Sequence, residues 1–511
     1  MALARAFAVG LVGLEGHLVE VEADLAQGLP GLTVIGLPDA ALAEARDRVR
    51  AAVVNSGQRW PQSRITLALS PASLPKRGSG FDLALAASVL AASGAVPADA
   101  LLDRVLVGEL GLDGRVRPVR GVLPAVLTAM RAGVERVVVP LENLAEARLL
   151  DGVCARGVAT LRDLVALLTG EDYDETVPEP VEAPAGPAGV HVPDLVDVAG
   201  QVEGRTAMEV AAAGGHHVLL LGPPGSGKTM LAERLPGLLP PLRLDEALEV
   251  TAVHSVAGTL PPGQPLVSQA PFQDPHHTAT VSSIVGGGSG VARPGAASLA
   301  HRGVLFLDEA PEFHRGVLDA LRQPLESGRL SITRVGGTAV YPAAFQLALA
   351  ANYCPCASPD GCTCAPDVRR RYLARMSGPL LDRVDLHVEV PRVTRAELLA
   401  DDGAGETTAV VAARVAAARR AAEARYAGTP WRTNGQVPAV ELSRRWPVAG
   451  TATRQAERAL DRGLLTARGY GRVLRLAWTL ADLQGEPTPG PHHVDHALGF
   501  RLGRTQLSGA T

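Results

Sequence analysis

Three short stretches of the chain carry side chains that could act together on a phosphate. The first runs Gly222-Pro223-Pro224-Gly225-Ser226-Gly227-Lys228-Thr229. Glycines at this spacing let backbone N–H groups curl around phosphate oxygens at the positive end of a following helix. Lys228 would reach the β- and γ-phosphates of ATP, and Thr229 would offer its hydroxyl to Mg2+. A Gly-rich turn can arise by chance, but here an apolar strand (217–221) enters and a helical pattern leaves, the context a phosphate loop requires. The second stretch is GVLFLDEA, 303–310. Its apolar residues read as a central strand. Asp308 would hold Mg2+ and Glu309 would orient and deprotonate an attacking water. The third is FQLALAAN, 345–352, whose Asn352 could touch the γ-phosphate or the water, or equally satisfy a turn. Three strands ending in such groups belong side by side at the carboxyl ends of a parallel sheet.

Four further features could serve this chemistry. In SGPLLDRVDLHVEVP (377–391), Arg383 is either an arginine finger offered to a neighbouring subunit's γ-phosphate or the intramolecular partner of Asp382 or Asp385. Cys354, Cys356, Cys362 and Cys364 fall within eleven residues, while Cys154 stands alone. Four thiolates in tetrahedral array suit a structural Zn2+; the alternative is four reduced thiols. SGRLSITRVGGTAVYPA (327–343) reads as a β-hairpin turning at Gly336-Gly337. Arg334 beside that turn is a candidate DNA-phosphate contact, or a single exposed charge. His276-His277-Thr278 lie in a long insertion with GGGSG (286–290), where His276 and His277 either line a DNA channel or order a loop.

Placing these groups takes several domains. A chain of 511 residues with 47% apolar content has material for about three cores and is not disordered throughout. Residues 1–170 alternate short strands with helical patterns. RITLALS (64–70), RVLVGEL (104–110) and VERVVVP (134–140) read as strands, and 81–94 and 123–133 as helices. Residues 171–195 hold seven acids, four prolines between 178 and 187 and no basic residue, and read as a semi-rigid linker. An α/β core spans 196–400. Residues 401–511 are helical and Arg-rich, with 15 basic against 10 acidic residues. The net charge of −4 excludes a uniformly basic coat but not local basic surfaces, and 3% aromatics exclude widespread base-stacking platforms. The first residues read as a strand rather than a leader, and no long apolar run suggests a membrane span, so a cytoplasmic location is expected. Of the 49 basic residues only Lys76 and Lys228 are lysines. Lys228 falls where a compact ammonium is needed and a planar guanidinium would not fit. Lys76 has no such explanation.

The order GPPGSGKT, GVLFLDEA, Asn352, SGPLLDRVDL resembles the magnesium-chelatase-like branch of the AAA+ ATPases. GLPDAALAEARDRVRAAVVNSG (36–57), PKRGSGFDLALA (75–86), VGELGLDGRVRPVRG (107–121), PFQDPHHTA (271–279), LRQPLESG (321–328) and the CPC…CTC cluster resemble the YifB/ComM family in particular. The resemblance implies an N-terminal domain with the Lon-protease fold, a phosphate-loop AAA+ core with a parallel sheet, and a C-terminal helical lid. It implies a ring of this chain, a hexamer, driving DNA branch migration in natural transformation. It makes Arg383 a finger acting in trans. It also makes Arg468, in TARGYGR, a sensor arginine reaching the nucleotide from the same chain, with Arg472 one turn on as the fallback.

The N-terminal domain departs from the Lon pattern. The position matching the protease nucleophile is Gly80, with Ser79 one place off, and the helix over 121–132 has no lysine to act as base. No protease activity is expected, and the domain reads as a binding or assembly module. The leading reading is an ATP-hydrolysing motor acting on branched or single-stranded DNA. The alternative is a metal-chelatase motor subunit or protein-remodelling chaperone. A non-hydrolysing scaffold is disfavoured because Glu309 and Asn352 are both present.

Overall fold

The computed structural model describes residues 2–36, 40–72, 74, 76, 78–176, 193–261, 263–288, 292–334, 337–356, 362–400 and 405–502. The N-terminal residues build a seven-stranded mixed sheet in the order Gly31–Ile35, Arg64–Ser70, Glu15–Ala26, Ala2–Val12, Arg104–Leu106, Arg136–Pro140, Cys154–Val158. The first residues do form a strand, paired antiparallel with Glu15–Ala26 along its whole length. Alternation sends Ala4, Ala6 and Ala8 to one face and Phe7 and Leu11 to the other. The wholly buried helix Asp82–Ala92 packs on the first face and Val122–Arg131 on the second. The stretch read as one strand over 104–110 is two: Glu109–Leu110 leaves the sheet to pair with Val116–Arg117.

The expected linker is narrower than 171–195. Glu175 accepts from the Gly157 backbone N–H at 2.8 Å and from Arg156 Nε at 3.0 Å, so its first residues belong to the N-terminal sheet. Asp194 accepts from the Thr408 N–H at 2.7 Å, and Leu195 is buried, so its last residues belong to the core and lid. The proline-rich middle, 177–192, lies outside the described residues.

The core sheet has five parallel strands in the order Phe272–Gln273, Val304–Leu307, Gln346–Ala351, Val218–Leu221, Leu386–Glu389. Val218–Leu221 and Val304–Leu307 are uninterrupted apolar runs, as strands covered on both faces must be. The lid helices Thr408–Arg425 and Ala467–Gln484 pack on the core helix Val202–Gly214, sharing its apolar core.

The N-terminal domain grips the core at two places. Ser255, near the end of helix Leu244–Ala257, donates to the buried Glu146 carboxylate and accepts from the Gly121 N–H at 3.0 Å. Burial raises Glu146 above the usual carboxylate range, against the pull of Ser255 and the Leu123 N–H. The second grip is the hairpin Arg329–Arg334/Gly337–Pro342, whose Ile332, Ala339 and Tyr341 bury against Leu14 and Ala292. Gly13 has φ +67°, and a Cβ there would lie 3.1 Å from that of Ala339.

Candidate nucleotide site

The three strands predicted to end in reactive groups are neighbours in one parallel sheet, with their carboxyl ends level. Leu221 pairs with Ala351, and Leu307 with Leu349. That register brings five side chains together. Lys228 Nζ donates to the carbonyls of Gly222 at 2.9 Å and Pro223 at 2.8 Å, and to Asn352 Oδ1 at 3.1 Å. Thr229 Oγ1 donates to Asp308 Oδ2 at 2.7 Å. The Glu309 N–H donates to Asp308 Oδ1 at 2.8 Å, turning that carboxylate toward Thr229. Burial lowers the Lys228 ammonium below its ordinary pKa, while Asp308 and Glu309 oppose the shift.

The loop is built for close approach of an anion. Gly222 lies so near the next strand that a Cβ would come within 2.2 Å of the Val390 carbonyl oxygen. Gly225 and Gly227 have φ +70° and +91°, which only glycine adopts freely. Ser226 Oγ is buried with no hydrogen-bond partner. A cleft of about 640 Å3 opens over Pro224–Thr229, Asp308, Glu309 and Asn352. An orphaned buried hydroxyl, a glycine cradle and a lysine held by its own loop's carbonyls fit a triphosphate. The Thr229–Asp308 pair fits a hard divalent cation with oxygen ligands.

Glu309 is held unusually. Its φ of +50° places a non-glycine residue in the left-handed region, at a cost of about 1 kcal/mol. Its carboxylate lies 3.3 Å from His277 Nδ1. Strand Phe272–Gln273, pairing with Val304–Leu305, delivers that histidine. His277 therefore sits beside Glu309, at the edge of the cleft. His276 packs against it with ring centroids 4.1 Å apart and the planes tilted by 33°, and it bonds Thr278 at 2.9 Å.

The arginines divide differently from expectation. Arg383 pairs with neither Asp382 nor Asp385. It donates to Glu326 and to the Pro379 carbonyl, before strand Leu386–Glu389 begins and so at the opposite end of the sheet from its own phosphate loop. Arg468, expected to reach the nucleotide of its own chain, stands away from the cleft. It is exposed, does not line the cleft, and shares its charge neighbourhood with Arg383. The physical reason is where its helix starts. Arg472, one turn on, is ion-paired to Asp385 at the amino end of the strand, so the fallback is equally remote from the loop. Burial and the guanidiniums of Arg322, Arg468 and Arg472 hold Arg383 below its ordinary pKa.

Arg334 is exposed beside the hairpin turn, while Gly336 lies outside the described residues. The four cysteine sulfurs lie within 4.8 Å of one another, with Cys354 and Cys356 3.0 Å apart and Cys356 and Cys362 3.7 Å apart. In the N-terminal domain Ser79 donates to Glu109, and the buried Lys76 to the Pro71 carbonyl, so the two point to different partners. Sequence reasoning missed Gln201 and Arg392, which line the cleft. Gln201 has φ +47° and donates to the Ser226 carbonyl at 2.9 Å, a role no local pattern announces.

Comparison with known proteins gives the family. The family described as magnesium chelatase, subunit ChlI, matches residues 194–398, its companion descriptions matching 21–143 and, for the ChlI C-terminal part, 405–501. The chain is 54% identical over 510 residues to an uncharacterized protein of Mycobacterium tuberculosis, covering 98% of this chain and 99% of the other. It is 41% identical to competence protein ComM of Haemophilus influenzae, covering 98% of each, and 40% identical to YifB of Escherichia coli, covering 98% and 97%. A stretch of 96 residues is 30% identical to Lon protease 2 of Bacillus subtilis, covering 19% of this chain and 17% of that one, in keeping with a Lon-like part of the fold. Nearly the whole length being covered on both sides, the chain belongs to the YifB/ComM family of magnesium-chelatase-like AAA+ proteins.

Proposed function

We propose that the protein is an ATP-hydrolysing ring motor whose client is branched or single-stranded DNA. The observation that carries hydrolysis is the convergence of Lys228, Thr229, Asp308, Glu309 and Asn352 over one glycine-lined cleft. In this reading Lys228 exchanges its loop carbonyls for β- and γ-phosphate oxygens. Thr229 and Asp308 would hold Mg2+, which would supply neutralisation of phosphate charge. Glu309 takes the proton of the attacking water, and Asn352 fixes the γ-phosphate between them. His277 positions Glu309 while the site waits.

The remote placement of Arg383 and Arg468 supports their serving a neighbouring chain, since neither reaches the cleft of its own. A ring then completes each site, and a hexamer is the reading we adopt. Four sulfurs within tetrahedral reach support a structural Zn2+ at Cys354, Cys356, Cys362 and Cys364. The N-terminal domain is read as a binding or assembly module, without a Ser–Lys mechanism.

DNA is favoured as client by the family resemblance and by the competence designation of the Haemophilus relative, with Arg334 on the hairpin as its phosphate contact. ATP turnover measured against single-stranded, forked and four-way DNA and against unfolded proteins tests the choice. Stimulation by branched DNA, weakening steeply with salt, is expected. Stimulation by unfolded protein alone would favour a chaperone or chelatase motor.

A further inference from the structure

A second cavity, of about 730 Å3, opens between core and lid. Its lining includes His217, Gly303 and Gln346, which stand at the amino ends of core strands, so it lies at the opposite end of the sheet from the phosphate loop. Six arginines and three glutamates line it. Three of those arginines are matched. Arg243 bonds Glu423 at 3.0 Å, and Arg302 and Arg432 lie 3.5 and 3.8 Å from Glu246. Arg419, Arg420 and Arg475 are different: among the described residues none of these three is ion-paired with a carboxylate.

Their surroundings sharpen the contrast. Arg419 is held by the Ala212 carbonyl at 2.9 and 2.7 Å, and burial pushes its pKa down to about 10. Arg475 Nε and Arg432 Nη1 are buried without hydrogen-bond partners. Asp385, the acid that pulls on Arg475, is already engaged by Arg472 and lies 3.4 Å from His216. His217 accepts from the Leu347 N–H through Nδ1 at 3.0 Å, and burial takes its pKa to about 4, so it stays neutral and keeps Nε2–H as a donor. Orphaned guanidinium donors kept out of water, as Arg475 Nε and Arg432 Nη1 are, are unfavourable unless an anion joins them. Guanidinium forks match phosphate oxygens, and three unmatched charges call for a ligand carrying several. A volume of this size admits a small molecule, not a duplex.

We propose that this cavity is a second ligand site, for a small polyphosphate anion, held by Arg419, Arg420 and Arg475 and bridging core to lid. The reading is independent of the nucleotide site. Its test is calorimetric titration of Mg2+-free tripolyphosphate into the full-length Lys228→Ala protein, whose phosphate loop is disabled. Saturable binding of one anion per chain is expected, weakened about tenfold by Arg420→Gln and by Arg475→Gln. Arg444→Gln, at an exposed arginine outside the cavity, should leave it unchanged. Arg420 is exposed, so its substitution spares the fold even if that of Arg475 does not. No saturable binding, or binding indifferent to Arg420→Gln, overturns the proposal. So does an equal loss on Arg444→Gln, which would make the binding a nonspecific charge effect. Failure here leaves the nucleotide site standing, because that site is read separately by ATP hydrolysis in the unmodified protein.

Discussion

Lys228 makes three hydrogen bonds that a triphosphate would replace, and its ammonium is a compact donor on a flexible stem. Lys228→Ala should therefore remove ATP hydrolysis, by ~100-fold or more, when phosphate release is followed at saturating ATP. An active variant would sink the whole assignment. Local pattern was sufficient to single out Lys228, Thr229, Asp308, Glu309 and Asn352, because the last three directly follow apolar strands and the first two open a helix after a glycine-rich turn. It was not sufficient for His277, whose link to Glu309 depends on a two-residue strand pairing across the sheet. Nor could it choose the partner of Arg383: two acids stand within two residues of it, and the actual partner, Glu326, is far away in sequence.

At the level of elements, helix Leu244–Ala257 stands between the N-terminal domain and the loop that leads into the acid-bearing strand. Its Glu249 accepts from His301 Nε2 at 3.2 Å and Arg302 Nη2 at 3.0 Å. The Ala344 N–H donates to His301 Nδ1, which fixes the neutral tautomer that donates to Glu249, and burial keeps His301 below its ordinary pKa. The His301 hydrogen bond, with the Arg302 charge, lowers Glu249 from 4.5 to about 2. The depressed carboxylate contributes stability that is present above pH 4.5 and lost as pH falls toward 2. Denaturation midpoints of the native protein should thus exceed those of Glu249→Gln at neutral pH, with the gap closing on acidification. A gap independent of pH would refute the linkage. The cluster of Cys354, Cys356, Cys362 and Cys364 has a test of its own. Purification without chelators should yield one zinc per chain, and Cys362→Ser should lower that content and the melting temperature while sparing ATP binding. Metal-free protein of unchanged melting temperature would leave four plain thiols.

For the whole molecule the question is where one chain's site is completed. Arg383→Ala and Glu309→Gln proteins should each be inactive alone. Mixed rings should recover ATP turnover, because an intact Arg383 on one subunit then meets an intact Glu309 on the next. No recovery at any mixing ratio would place Arg383 in a purely structural role beside Glu326. The two grips of the N-terminal domain, Ser255–Glu146 and Gly13–Ala339, hold the helix and the hairpin of the core in a fixed relation to that domain. Among the described residues no helix is long and apolar enough to cross a membrane.

From its residues alone the chain announced the glycine-rich loop 222–229, the acid pair Asp308–Glu309 and Asn352 at a strand end, because each depends on short-range order: an apolar strand, a turn and the residue that follows. It announced the α/β core and the helical lid for the same reason, since periodicity of burial is local. Tertiary structure decided everything that turns on which strand lies beside which. It set His277 on Glu309 and separated Arg468 and Arg383 from their own cleft. It also divided the acidic linker between two neighbours and gathered unpaired arginines from two lid helices into one cavity. Those outcomes depend on side chains distant in sequence meeting in a low-dielectric interior, where pairing or its absence carries the energy.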